Sequence, residues 1–370
     1  MAYVAVKGGR EAIENSIESL DLQRNDGTTL PLTVEQIRRQ LHFLVDRVMG
    51  EGSLYAPDLA ALAVKQAAGD TFEAAFMVRA YRTTLPRLGY SLPRSTGRMR
   101  MLRRISSAFK DIPGGQILGP SSDYSLRLLD FDLRDETRES ARARYLKFLA
   151  KAELKEEIPD SFSKLVAMLR HENLLVSCSA VAQETTIKDV TREALDFPAR
   201  RSAALQTMAR GETGGMLALA YSNMRGYGSS HPTIGELRVG YIPVYAKHPL
   251  NGQETVIGEV PVTEAEIISR ISIIEGSPRF QLGYGICFGH NETKAICMAT
   301  LDVAMRAEAP AYPSEDQEFV LSHIDGIESM GFANHFKLPH YVTFQSELDR
   351  LRGSRRSMAE GRPWPEEEES

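Results

Sequence analysis

Three short runs in the second half of the chain are rich in valine, isoleucine and tyrosine. They cover residues 236–245, 254–262 and 281–288, and Gly283 and Gly285 interrupt the third run. β-Branched and aromatic residues favour strands over helices. We therefore expect a small, mostly antiparallel sheet, and this group of strands restricts the possible folds more than any other feature.

Helical patterns surround these strands. Before them, an apolar stripe over residues 34–48 follows a capping pair, and Asp70 starts a further helix. After them, residues 291–305 have a helical pattern, and residues 315–330 are predicted to form one helix that Gly331 ends. The sequence therefore predicts an α+β protein.

The chain has 370 residues, which is beyond the size at which a single hydrophobic core usually stops growing. We expect a largely helical lobe over residues 1–199 and a mixed lobe with the sheet and packed helices over residues 200–352. Residues 353–370 are highly charged and contain few core residues, so we expect a disordered tail there.

The composition is that of an ordinary globular protein, with 42% hydrophobic residues, 25% charged residues and a net charge of -5. It gives no indication of nucleic-acid binding. No apolar run is long enough to span a bilayer and no signal peptide is evident, so we expect a cytoplasmic protein without a membrane partner. The scattered Cys178, Cys287 and Cys297 support neither disulfides nor a cysteine zinc site, and buried, inert thiols are expected.

A basic run stands out against the acidic total. No acidic residue occurs between Glu73 and Asp111. The cations in this interval are Arg79, Arg82, Arg87, Arg94, Arg98, Arg100, Arg103, Arg104 and Lys110. Arginine suits phosphate oxygens, so the run indicates a polyphosphate site or a docking face for an acidic partner. A solvated basic face is the alternative.

Two glycine-containing turns are further candidates for anion binding. Lys7, Gly8 and Gly9 lie between a short apolar run and a helix that is expected from about Glu11, and backbone N–H groups at a helix start attract anions. A plain N-terminal turn is the alternative. The second turn, residues 225–232, places Arg225 and His231 among glycines.

The most specific local pattern is a histidine pair near the C-terminus. His335 and His340 are five positions apart, a spacing that places two side chains on one face of neither a helix nor a strand. Pro339 favours a bend between them, through which the two imidazoles could converge on zinc. Two ligands do not complete a site, and two unrelated surface histidines are the alternative. His323, on the preceding helix, is a possible further ligand or a core histidine.

Six dispersed segments give the chain a family resemblance. They are residues 5–9 (AVKGG), 79–85 (RAYRTTL), 110–116 (KDIPGGQ), 217–222 (LALAYS), 225–228 (RGYG) and 338–342 (LPHYV). In this order they resemble the PhnI family, which supplies a core subunit of the bacterial carbon–phosphorus lyase complex. Residues 132–192 and the tail after residue 352 match poorly.

The resemblance implies an enzyme of phosphonate catabolism. With its partners it would displace adenine from Mg-ATP by an alkylphosphonate at ribose C1′, giving a ribose 1-phosphonate 5-triphosphate. Alone it would act as a nucleosidase on ATP or GTP. The implied partners are the other core subunits, two copies of each, including the subunit that performs radical chemistry. The family's zinc histidines fall on His335 and His340. The alternative is a non-catalytic scaffold that completes a metal site at a partner's surface.

Breaking an N-glycosidic bond requires a proton donor for the base and cations for the phosphates. The candidate catalytic residues are Glu236, Asp325 and His231, although each acid could instead be solvent-facing or a helix cap. The candidate phosphate-binding residues are Lys7, Gly8, Gly9, Arg79, Arg82 and Arg225.

Overall fold

The computed structural model describes residues 9–151, 162–176, 187–227, 232–274, 276–338 and 340–361. The chain divides into two compact units, one formed by Met1–Thr33 with Ile327–Ser370 and the other by Val34–Gly326. Each unit is described by itself. The lobe boundaries expected after residues 199 and 352 stay predictions, but the tail expected to be disordered from residue 353 is helical as far as Ala359.

Thirteen helices and four strands lie in the described ranges. The helices are α1 (Gly9–Arg24), α2 (Val34–Gln40), α3 (His42–Gly52), α4 (Pro57–Gln66), α5 (Thr71–Thr83), α6 (Arg138–Lys151), α7 (Leu165–His171), α8 (Arg201–Arg210), α9 (Thr213–Ser222), α10 (Glu292–Ala304), α11 (Gln317–His323), α12 (Gly326–His335) and α13 (Tyr341–Ala359). The strands are β1 (Arg100–Ile105), β2 (Thr233–Lys247), β3 (Glu254–Ile274) and β4 (Ser277–Phe288). Within those ranges, no helix is both long and apolar enough to cross a membrane.

The four strands form one antiparallel sheet in the order β1-β2-β3-β4, which confirms the predicted α+β fold. Strand β3 extends to Ile274, twelve residues beyond its predicted end at Val262. Strand β1 was not predicted, because three of its six residues are arginines. Its buried arginines, Arg103 and Arg104, are stabilised by ion pairs with distant carboxylates.

One face of the sheet packs against α10 through two glycines. A Cβ on Gly283 would lie 2.0 Å from the carbonyl oxygen of Ala299, and one on Gly285 would lie 2.2 Å from that of Ala295. Both contacts are too short for any side chain. Gly283 and Gly285, which interrupt the apolar run in the sequence, therefore allow the helix backbone to approach the strand directly.

The helical part of unit 2 begins with α2 to α5, which share a hydrophobic core containing Val48, Met49, Val64 and Val78. Asp70 caps α5 as predicted, accepting the N–H groups of Phe72 and Glu73 over 2.9 and 3.1 Å.

The helix predicted over residues 315–330 is wrong. A 3₁₀ turn at Pro313–Glu315 is followed by α11, whose N-cap is Asp316, and the chain then starts α12 at Gly326. Gly331 lies inside α12 and is not a C-cap. The apolar periodicity continues across the break after His323, so it does not mark the helix end.

Two of the three cysteines lie in the described ranges, and both are buried free thiols as expected. Burial raises the pKa of Cys287 to about 11 and that of Cys297 to about 12. Both thiols are therefore protonated and unreactive at neutral pH. Cys178 lies outside the described residues.

Candidate functional site

The two predicted metal histidines lie side by side in the first unit. His335 is the last residue of α12 and His340 precedes α13, and their ring centroids are 5.1 Å apart. Each Nδ1 contacts a backbone carbonyl, that of Phe332 for His335 and that of Leu338, over 2.6 Å, for His340. These contacts place the Nδ1 proton towards the backbone and leave both Nε2 atoms available.

This arrangement fits the donor set for zinc. A tetrahedral ion bound about 2.0–2.1 Å from each Nε2 would hold the ring centroids about 5 Å apart, which matches the observed separation. No group of three or more His, Cys, Asp or Glu side chains suited to a metal occurs in the described ranges. The exposed His323 stacks on Phe319 and contacts the Phe319 carbonyl through Nδ1, over 2.6 Å. The pair alone therefore forms at most half of a zinc site.

The predicted acid Glu236 lies in a buried ion pair. Arg104 Nε donates to Glu236 Oε1 over 2.5 Å, and the N–H of Leu165 donates to Oε2 over 3.1 Å. Arg104 also donates to the carbonyl of Pro113, in the glycine-rich loop that follows β1. Both carboxylate oxygens are occupied and the side chain is 1% exposed, which favours a structural role for Glu236.

Asp325 and Arg79, predicted for catalysis and phosphate binding, bind each other. Arg79 Nη1 donates to both Asp325 oxygens over 2.8 and 2.7 Å. Its Nε and Nη2 donate to the carbonyls of Glu51 and Arg210, both over 2.9 Å. All three nitrogens of Arg79 have acceptors, so the pair holds the ends of α3, α8 and α11 together.

Of the remaining predicted residues, Arg225 and Gly9 are among those that the structure describes. Arg225 is exposed on a π-helical turn (Asn223–Tyr227) and its Nη1 donates to the Tyr221 hydroxyl. Gly9 begins α1 with a φ of 59°. Lys7, Gly8 and His231 lie outside the described residues.

Arg82 lines a large cleft in unit 2, here named the Arg82 cleft. Its volume is about 990 Å³ and, among the described residues of its walls, Asp189 is the one acid. The cations in its walls are Arg82, Arg87, Lys188 and Arg192. Leu85, Leu88 and Tyr90 contribute apolar surface. The cleft is therefore cationic on part of its wall and apolar on another.

Arg82 is poorly compensated there. Its Nε is buried without a hydrogen-bonding partner, and it forms no ion pair with a described residue. Burial, with repulsion from Arg87, lowers the pKa of Arg82 against the opposing charge of Asp189. Arg87, by contrast, donates to Asp189 over 2.9 Å. Burial raises the pKa of Asp189, but the hydrogen bonds from Thr191 and the charge of Arg87 outweigh it and hold that pKa below its usual range. An anion in the cleft would relieve the unbalanced charge of Arg82.

A second candidate site, absent from the sequence predictions, lies on the charged face of the sheet. Glu264 and Glu266 alternate along β3 and so point to the same face. The strand register places Arg238 opposite Glu264 and Tyr284 opposite Glu266. These four side chains belong to a layer of ion pairs and hydrogen bonds on this face of the sheet, where an apolar core would otherwise be expected. The alternation of charges in β2 and β3 was the available signal, but it is also typical of a solvated strand face.

A pocket of about 290 Å³ opens on this face and is here named the Glu266 pocket. Its lining includes Glu266, Tyr284, Lys164 and the cations Arg94, Arg170 and Arg201. Lys164 Nζ donates to Glu264 Oε1 over 2.8 Å and to Glu266 Oε1 over 3.0 Å. Two buried carboxylates therefore share one ammonium group at the base of the pocket.

Comparison with known proteins supports the sequence resemblance. The profile of the family described as "Bacterial phosphonate metabolism protein (PhnI)" matches residues 2–358. A Stutzerimonas stutzeri protein named "Putative C-P lyase subunit protein HtxH" is 55% identical over 95% of each chain. Proteins of Rhizobium meliloti and Escherichia coli, both named "Alpha-D-ribose 1-methylphosphonate 5-triphosphate synthase subunit PhnI", are 44% identical over 96% and 95% of this chain and 95% and 97% of theirs. The chain therefore belongs to the PhnI family of bacterial phosphonate metabolism proteins.

Proposed function

We propose that this chain is a core subunit of a carbon–phosphorus lyase complex that acts on the ribose of ATP in the cytoplasm. With its partners it displaces adenine from ribose C1′ by an alkylphosphonate, giving a ribose 1-phosphonate 5-triphosphate. Without them it hydrolyses ATP or GTP to the free base and ribose triphosphate. The names of two relatives, both synthase subunits for ribose 1-methylphosphonate 5-triphosphate, support this reaction.

The Arg82 cleft is the observation that carries the proposal. Its volume of about 990 Å³ is enough for a nucleoside triphosphate. Arginine donates to phosphate oxygens in a planar fork, and Arg82 lines the cleft without an ion pair to a described residue. Lys7, Gly8, Gly9 and Arg225 stay predicted phosphate contacts, whereas the ion pair of Arg79 with Asp325 gives Arg79 a supporting role beside the cleft.

The histidine pair is the proposed zinc site. His335 and His340 would hold the ion through Nε2, while their Nδ1 contacts with the backbone fix the rings. Bound zinc supplies a Lewis acid for a phosphate or phosphonate oxygen. The remaining coordination positions are left for substrate, water or a partner subunit, such as the subunit that performs the radical step.

Exposed apolar side chains support assembly with partners. Helix α6 has no buried residue, and Tyr145 and Phe148 on it are 61% and 68% exposed. Leu126 and Leu129, before that helix, are 86% and 81% exposed. Apolar surface of this extent is typical of an interaction site. Two copies of each subunit are the expected assembly. A scaffold without chemistry of its own would present the same surface, so an activity assay is needed to distinguish the enzyme from the scaffold.

The test is base release by the purified complex incubated with Mg-ATP and methylphosphonate. Adenine is separated from nucleotide and quantified, and the isolated chain is assayed in parallel without phosphonate. We expect adenine in both reactions and an increased KM for ATP, by about tenfold or more, in Arg82→Ala. Arg39→Ala, in an exposed cation of α2, is the matched control and leaves the KM unchanged. If neither preparation releases adenine above background, the scaffold function replaces the enzymatic one.

A further inference from the structure

The Glu266 pocket lies close to the Arg82 cleft along the chain. Ser91 lines the cleft and Arg94 lines the pocket, so three residues, or at most about 11 Å of extended chain, connect them. Gln206 lines the cleft and Arg201 lines the pocket, and they are about 7.5 Å apart along the axis of α8. Two independent segments thus border both spaces, and a nucleotide held in the cleft by its phosphates can present its ribose to the pocket.

The two carboxylates at the pocket are bound very differently. Glu264 Oε1 accepts from Thr96, Lys164 and Tyr284 over 2.6, 2.8 and 2.8 Å, and its Oε2 accepts from Arg238. Among the residues that the structure describes, Glu266 has a single partner, Lys164, on Oε1. Its Oε2 is buried without any hydrogen-bonding partner among the described residues, and the residue is 3% exposed. Glu264 is saturated as an anion, whereas Glu266 keeps one oxygen unused.

These surroundings shift the pKa values of the two acids in opposite directions. Burial raises the pKa of Glu266 and the charge of Glu264 adds to it, against the opposing effect of Lys164. Burial also raises the pKa of Glu264, but the charges of Arg238 and Lys164 outweigh it and lower that pKa below its usual range. Two neighbouring carboxyl groups whose pKa values are driven apart are the arrangement by which an enzyme keeps one acid protonated beside a fixed anion.

Cleavage of an N-glycosidic bond uses such a pair. The departing purine is a poor leaving group until a ring nitrogen is protonated, and the ribose ring becomes positively charged as the bond breaks. A protonated carboxyl group provides the proton, and a nearby carboxylate stabilises the positive charge. The described acids nominated from the sequence do not satisfy this need, because Glu236 is occupied by Arg104 and Leu165, and Asp325 by Arg79.

We propose that Glu266 is the catalytic acid that protonates the leaving purine, and that Glu264, held by Arg238, Tyr284 and Thr96, is the positioning residue that keeps Glu266 protonated. This inference rests on the proposed nucleotide reaction and names the group that performs its proton transfer.

The O–H proton of Glu266 moves to a ring nitrogen of the base while the C1′–N9 bond breaks. The electron pair of the C1′–N9 bond leaves with the purine. A phosphonate oxygen, or a water in the hydrolytic reaction, forms the new bond to C1′. In hydrolysis the attacking water releases a proton, which restores the protonated Glu266. In phosphonate transfer, Glu266 regains its proton from solvent.

Charged and titratable groups on several elements face Glu266. Glu264 lies on the same strand, Glu236 and Arg238 on β2, Tyr284 on β4 and Lys164 at the start of α7. Arg94, Arg170 and Arg201 line the open side. The cations among these groups favour an ionised Glu266, so a bound phosphate that neutralises those of the open side would further favour the protonated acid.

The experiment compares wild type with Glu266→Gln in the assembled complex on two substrates. The first is ATP, whose base needs a proton. The second is 4-nitrophenyl riboside 5′-triphosphate, whose nitrophenolate leaves without one. We expect Glu266→Gln to lower kcat for adenine release by roughly 100-fold or more, while nitrophenolate release changes by less than about threefold. Glu259→Gln, an exposed carboxylate on the same strand, is the matched control and retains both activities.

A pH profile provides a measurement that does not depend on any variant. Adenine release by the wild type should fall as pH rises through the raised pKa of Glu266, and nitrophenolate release should not fall. Equal losses on both substrates, or adenine release by Glu266→Gln at the wild-type rate, would overturn the role of Glu266 while leaving the nucleotide reaction intact. If wild type releases no adenine, the reaction itself is refuted.

Discussion

Arg238 and Glu264 are cross-strand neighbours whose side chains form an ion pair while each is only 1% exposed. Arg238→Met would leave Glu264 charged and buried with Lys164 as its remaining cation. Removing one member of a buried pair typically costs about 3–5 kcal/mol. We expect the free energy of unfolding to fall by that amount, measured by urea denaturation of the purified chain.

The matched control for this loss is Arg100→Met, on the neighbouring strand. Arg100 pairs with Glu259, and both side chains are at least 46% exposed. Exposed pairs add little to stability. Equal denaturation midpoints for Arg238→Met and Arg100→Met would show that the buried charged layer does not stabilise the sheet.

Gly283→Ala should separate α10 from the sheet. The new Cβ would lie 2.0 Å from the Ala299 carbonyl oxygen and 2.8 Å from side-chain atoms of Ile267 and Val303. Since backbone must move, we expect a loss of about 3 kcal/mol and a lower Tm by scanning calorimetry. Gly353→Ala in α13, where a Cβ meets nothing within 4 Å, should instead be neutral or stabilising by up to about 1 kcal/mol.

The histidine pair predicts a zinc content that depends on both rings. His335→Ala and His340→Ala should each reduce zinc in the assembled complex by at least about tenfold, measured by mass spectrometry of the metal after gel filtration. His323→Ala, whose exposed ring lies on α11 in the other unit, should retain the wild-type content. Wild-type zinc in both single variants would place the metal elsewhere.

The pH dependence of protein stability should also reflect the charge of Glu266. Its pKa is raised on folding by burial and by Glu264, so its contribution to stability is fully present below the unfolded pKa and is lost as pH rises through the folded pKa. Glu266→Gln stays neutral throughout. Its Tm relative to wild type should therefore increase over the pH interval above about 4.3, the pKa of glutamate in an unfolded chain. A difference that falls over this interval would mean that the folded protein prefers the ionised acid.

Local sequence patterns predicted the central strands and most helix positions, since β-branched runs and capping residues act over a few neighbours. They did not predict β1, whose arginines match no strand pattern until their partners are known. Arg103 binds Glu292, and Arg104 binds Glu236. A buried charged strand can be recognised only from its tertiary contacts.

Prediction of the candidate site from the sequence was limited in the same way. The spacing of His335 and His340 left open whether they pair, and the family resemblance favoured a metal pair. Their rings do lie together; zinc itself stays a prediction. Glu266 was not predicted, because its burial depends on Lys164, which lies 102 positions earlier in the chain. Glu236 was chosen for its neighbours in sequence, whereas its ion pair with Arg104 spans 132 positions.

The contacts of Arg79 have a consequence for the order of folding. Its guanidinium joins segments that are 28, 131 and 246 positions away along the chain. Contacts of such long range form only after the intervening loops have closed, and loop closure carries an entropic cost that slows folding. The ends of α3, α8 and α11 should therefore acquire amide-exchange protection together and late in refolding, after the helices themselves have formed.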